Sequence, residues 1–73
     1  MPLRSNGAEI RRRRELMGMT LTHFAEKAGY CLNHASMVEI GRSNGGPKYL
    51  TAAAHILGCE IADITEPPRK AAA

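Results

Sequence analysis

Apolar residues recur along this chain at helical spacing. Leu21, Phe24, Ala25 and Ala28 fall at i, i+3, i+4 and i+7, the stripe of a short helix laid on a core. Thr20 before them offers a hydroxyl oxygen to the first-turn amides. Gly29 ends the run, because a glycine takes the left-handed conformation that closes a helix without a Cβ penalty. Tyr30 after it fits as an apolar plug under the helices, its hydroxyl near the surface. A second helix-forming run, Leu32 to Ile40, stops at Gly41. Its inward positions are Ala35 and Val38. Leu32, Asn33, His34 and Met37 form its outward side, with Ser36 as a small contact to the preceding helix.

Upstream, Asn6-Gly7-Ala8-Glu9 has the spacing of a capping box, which predicts a first helix over Gly7 to Met17 that stops at Gly18. Ile10 and Met17 stand on its inner side at i and i+7 with Arg14 between them, so a guanidinium lies on a buried stripe and needs a partner. Downstream, Pro47 suits the first turn of a fourth helix that ends before Gly58 and turns Leu50, Ala53, Ala54 and Leu57 inward. A last short helix from Glu60 to Ile64 would bury Ile61 and Ile64 before Thr65-Glu66-Pro67-Pro68 ends regular structure. The pattern therefore predicts an all-α domain of five helices over residues 6–65 and a disordered tail over 66–73. Two short helices around a glycine at its centre make a helix-turn-helix, the unit that sets its second helix in a DNA major groove.

Length and charge fit that picture. A chain of 73 residues leaves little room for an enclosed active site, and His23, His34 and His55 have no nucleophile and acid in motif spacing, so an enzyme is not expected. Ten Lys and Arg against seven Asp and Glu give a net charge of +3, a modest excess suited to a polyanion. The block Arg11 to Arg14 covers more than half a helix circumference, and Glu9–Arg13 and Arg11–Glu15 pairs would make much of it a solvated face. It lacks the opposing bulky apolar face of a membrane-surface helix. With no signal-peptide pattern and no apolar run of membrane-spanning length, Cys31 and Cys59 point to a reducing cytoplasm, where a DNA-binding protein would be nucleoid-associated. Cys31-x2-His34 and His55-x3-Cys59 have zinc-like spacing, but Cys31 sits where a helix cap belongs and Cys59 follows a helix-ending glycine. Neither a metal nor a cofactor is expected.

Across Ala8 to Ile64 the chain resembles the lambda-repressor-like, or Cro/C1-type (XRE), helix-turn-helix domains. The resemblance is carried by Ile10, Arg14, Gly18, Thr20, Phe24-Ala25, Gly29, Ser36, Glu39, Gly41 and Leu57-Gly58. It implies the five-helix lambda-repressor-like fold and a transcriptional regulator, typically a repressor, that binds double-stranded DNA. It also implies a structural ion pair between Arg14 and Glu39, which would join the first and third helices.

The family's DNA contacts carry over unevenly. Base contacts would come from Leu32, Asn33, His34 and Met37, with Asn33 suited to adenine N6 and N7. Where the family commonly has a phosphate-binding Gln, this chain has Leu21, which can offer only its backbone amide. Arg11, Arg42, Ser43, Asn44 and Lys48 would meet phosphates. Leu32 and Met37 suit thymine methyls, and they suit equally a protein partner, which keeps open a second class: a protein-interaction module such as an antitoxin or co-regulator. A weak homodimer, at least on DNA, is the expected assembly; resembling domains often meet through the last helix, where Ile61 and Ile64 serve either that contact or the monomer core.

Overall fold

The first two helices begin at side chains that satisfy their end amides. The computed structural model describes residues 4–66, so the expected tail from residue 67 lies outside the described residues. Helix α1, Gly7–Leu16, opens on Asn6, whose Oδ1 accepts from the Glu9 N–H at 3.1 Å. The return half of the expected capping box is not made. The Asn6 amide donates to the Ile64 carbonyl at 2.9 Å, and the Glu9 carboxylate turns to Arg12 and Arg13. Met17 also departs from expectation: the amides of Met17, Gly18 and Met19 fold back on the carbonyls of residues 13–15, so the chain leaves the helix before Met17 can turn inward. The inner stripe is instead Gly7, Ile10 and Arg14. Gly7 sits so close to the end of the third helix that a Cβ there would overlap the carbonyl oxygens of Val38 and Glu39.

Helix α2, Leu21–Ala28, is capped by Thr20, whose Oγ1 accepts from the His23 N–H at 3.1 Å. Gly29 at φ 81° then lets the Tyr30 amide reach back to the Ala25 carbonyl at 3.0 Å, which redirects the chain into helix α3, Leu32–Glu39. Cys31 has the extended backbone of a cap, but its side chain makes no capping bond. Helix α4, Gly46–Leu57, carries Pro47 in its first turn.

The core gathers Ile10, Phe24, Ala25, Ala35, Val38, Tyr49, Leu50, Ala53, Ala54, Leu57 and Ile64. Each fully buried large side chain among them contributes about 1.5–3 kcal/mol of transfer free energy. The fifth expected helix is a 3-10 turn, Ile61–Ile64, whose cap is Glu60. Too few residues separate the end of α4 from the extended Thr65 for an i to i+4 ladder, and the tighter i to i+3 bond closes in fewer. Glu60 and Asp63 bond each other's amides there, a true capping box. Ile64 is fully buried and Ile61 packs on the core, so Ile64 is consumed by the monomer and is not available to a dimer contact. The ends of the described chain then meet: Ser5 and Thr65 form an isolated antiparallel bridge, and the Glu66 amide donates to the Arg4 carbonyl at 2.8 Å.

Candidate nucleic-acid interface

One face of α3 packs inward through Ala35, Val38 and Glu39. At 100° per residue the opposite face is Leu32, Asn33, Ser36, Met37 and, one step beyond the helix end, Ile40. Leu32 and Ile40 are 48% and 59% exposed, Asn33 is exposed, and Ser36 and Met37 are half-buried. None of these side chains is charged. Sequence reasoning left Ile40 out of this face, although its position between Asn33 and Ser36 on a helical wheel was legible.

The face is held in place from behind. Arg14 donates through Nε and Nη2 to the two Glu39 oxygens at 2.8 and 3.0 Å, and through Nη1 to the Met19 carbonyl at 2.7 Å. The pair expected from the resemblance is therefore present, and it spans the α1–α3 seam. The Glu39 carboxylate, hydrogen-bonded to it, holds Arg14 more firmly protonated than an ordinary arginine.

Most of the arginines are internally engaged. Arg11 pairs with Glu15 at 3.0 Å, Arg12 and Arg13 each pair with Glu9 at 2.7 Å, and Arg4 pairs with Glu66 at 3.3 Å. The Arg12 guanidinium, with Arg13 beside it, holds the Glu9 carboxyl down at about 2. Arg11, a candidate phosphate contact, thus shares its charge with Glu15. Lys27, Arg42 and Lys48 have no ion-pair partner among the described residues, and all are exposed. Arg42 follows α3 after Ile40 and Gly41, and Lys48 lies in the first turn of α4. Ser43 is half-buried between them, its amide on the Met37 carbonyl. Leu21 is the first residue of α2, where a helix leaves its amides without intrahelical acceptors.

Two candidates sit differently from the expectation. His34 was assigned to the outward face, but its ring stacks on Tyr30 at 5.1 Å and meets the edge of Tyr49 at 5.4 Å, and its Nε2 is buried. At 200° round the helix from Leu32 it lies on the flank, where two aromatic rings draw it in. Asn44 was assigned to a phosphate, but its Oδ1 accepts from the Ser5 amide at 3.0 Å while Ser5 Oγ accepts from the Gly45 amide at 3.2 Å. That reciprocal pair ties the α3–α4 loop to the start of the chain. Sequence reasoning also missed Tyr49, which is fully buried against Phe24, Tyr30 and His34; burial pushes its phenol well up.

Comparison with solved structures supplies the family. The clp gene regulator ClgR of Corynebacterium glutamicum is 33% identical over 78% of this chain, which covers 61% and 74% of the ClgR chains in two crystal structures, with TM-scores of 0.74 and 0.72. The chain belongs to the lambda-repressor-like (XRE) helix-turn-helix family. SinR, a master regulator for biofilm formation crystallised in complex with DNA, is 26% identical over 77% of this chain and 90% of its own, with a TM-score of 0.72. Hydroxypropylphosphonic acid epoxidase from S. wedmorenis is also similar, at 26% identity and a TM-score of 0.73, but the match covers 92% of this chain and only 37% of that enzyme. No protein-family model and no curated protein sequence matches the chain.

In this XRE domain the described residues bring no three His, Cys, Asp or Glu side chains together around a common point. Cys31 is exposed and Cys59 half-buried, its thiol pushed up by burial, and neither is in a disulfide. Among the described residues no helix is long and apolar enough to cross a membrane.

Proposed function

We propose that this domain is a sequence-specific DNA-binding transcriptional regulator that inserts α3 into the major groove. The observation that carries the reading is the arrangement around α3: an exposed, uncharged helix face bearing Asn33, with Arg42, a cation without an ion-pair partner among the described residues, just beyond its C-terminal end. The fold of a regulator and the likeness to SinR, crystallised with DNA, support it. Asn33 pairs with an adenine edge; Leu32 and Met37 line the groove beside it. Arg42, Lys48 and the Leu21 amide hold phosphates and set the register, with Ser43 beside them and Arg11 in a lesser role because Glu15 competes for it. Repression needs nothing more than occupancy of a promoter. One domain of this size offers few contacts, so two copies on half-sites about one helical turn apart supply the affinity. The chain spans under two thirds of one ClgR chain, and this reading concerns the domain.

The test is binding to duplex DNA as a function of salt. Phosphate neutralisation gives a log-linear loss of affinity with rising salt, and selection from a random pool yields a palindromic site. Salt-independent association with a protein, and no enrichment of any DNA sequence, would turn the reading to a protein-interaction module using the same apolar face.

A further inference from the structure

We propose that α3 reads its target chiefly through the C5-methyl groups of thymines, with Leu32, Met37 and Ile40 as the methyl-contacting residues. This rests on the DNA-binding reading above and narrows it to a class of site, one whose half-sites place thymines beside the adenine met by Asn33. The argument is one of elimination on named chemistry. Guanine is read in the major groove by Arg or Lys on O6 and N7, and cytosine N4 by Glu or Asp, whereas the thymine methyl is the apolar feature of that groove. The outward face of α3 carries no cation and no carboxylate. The one charged residue of the helix, Glu39, is turned inward and spent on Arg14.

What the face does offer is apolar. Leu32 and Ile40, both exposed, stand at i and i+8 with the half-buried Met37 alongside. At a rise of 1.5 Å per residue Leu32 and Ile40 are roughly 12 Å apart, about the length of three to four base-pair steps of 3.4 Å. The occupant is DNA rather than a protein because Arg42, an exposed cation with no ion-pair partner among the described residues, stands at the end of this surface with its amide on the Met37 carbonyl. A polyanion satisfies both features at once. Ile40 is thereby a specificity-determining residue at a position beyond the helix end.

The experiment uses the duplex recovered by selection from a random thymidine-containing pool. Each thymidine in turn is replaced by deoxyuridine, which removes the C5-methyl and leaves every hydrogen-bonding group in place. The expected result is a roughly three- to fourfold weakening at each methyl that is read, the worth of one buried methyl group. In the Leu32→Ala/Ile40→Ala double variant the replacements at methyls read by those two residues become neutral, sensitivity remaining only at a methyl read by Met37, and circular dichroism matches the parent because both side chains are exposed. Specific binding that is indifferent to deoxyuridine overturns the methyl reading and leaves DNA binding standing. Sensitivity that persists unchanged in the double variant overturns the assignment to Leu32 and Ile40, since the methyl then acts on duplex shape or on other residues. Failure to bind any duplex overturns both readings together.

Discussion

Arg14 and Glu39, 25 positions apart, lock α1 to α3 through two parallel hydrogen bonds of 2.8 and 3.0 Å, with Arg14 only 7% and Glu39 8% exposed. The geometry matters more than the charge. Removing one partner strands the other in a poorly solvated place, which costs about 3–5 kcal/mol where such pairs are buried. Arg14→Ala is expected to lower the thermal midpoint by well over 10 °C, and Arg14→Met/Glu39→Leu, which removes both charges and keeps volume, to recover much of it. Thermal unfolding followed by circular dichroism reads both.

Gly7 is a second point where the same two helices meet, backbone against backbone. Its missing side chain leaves room for the carbonyls of Val38 and Glu39, the latter with its oxygen 2.5 Å from where a Cβ would stand. Backbone cannot rotate away as a side chain can. Gly7→Ala is therefore expected to destabilise by about 1–3 kcal/mol or more, despite alanine's better helix propensity. Urea unfolding checks it: a lower midpoint at unchanged slope.

Cys31 occupies an N-cap with the right backbone and the wrong atom. At φ −75° and ψ 156° it needs no rearrangement to accept a first-turn amide, yet it makes no capping bond. Cys31→Ser is expected to stabilise by about 1 kcal/mol, a rise of some 4–8 °C in midpoint for a domain of this size.

The Glu9 carboxyl titrates near 2 rather than its ordinary 4.5 because Arg12 and Arg13 favour the charged form. A group with a lowered folded value contributes its stability in full above the unfolded value and loses it as pH falls through the folded one. The parent is thus expected to lose stability more steeply than Glu9→Gln between about pH 4.5 and 2, the two curves running parallel above that window. Melting temperatures across that range measure the difference.

Positioning and readout separate in the DNA-binding variants. Arg42→Ala is expected to weaken all sequences alike and to reduce the salt slope by about one unit. Asn33→Ala should cost about 1–3 kcal/mol on the preferred site and relax choice at one base pair. Equal losses on specific and random DNA for both variants would remove Asn33 from the base-reading face.

Sequence periodicity carried most of the architecture because short amphipathic helices with polar caps write their boundaries locally, as Asn6, Thr20, Gly29 and Gly58 do. What escaped was decided by neighbours distant in sequence. Tyr49 becomes the largest buried side chain because Phe24, Tyr30 and His34 surround it; Asn44 is taken by Ser5, 39 positions away. The α3 face was legible except at its edges. His34 was pulled onto the flank by Tyr30, and Ile40, the last residue of the expected helix, stands one residue past the observed end, where only rotation by 100° per residue assigns it to the face.

The ladder that joins Arg4–Asn6 to Ile64–Glu66 has a mechanical meaning. Residues 4 and 66 leave it side by side, so tension applied through them peels its bonds one after another, beginning at the 2.8 Å link from Glu66 to Arg4, instead of loading them all in parallel. Bonds broken in series yield at low force. The next to give would be the clasp between Ser5 and the loop at Asn44 and Gly45, which shares its span with Arg42, so a pull on the ends is transmitted to the α3–α4 loop before the core feels it.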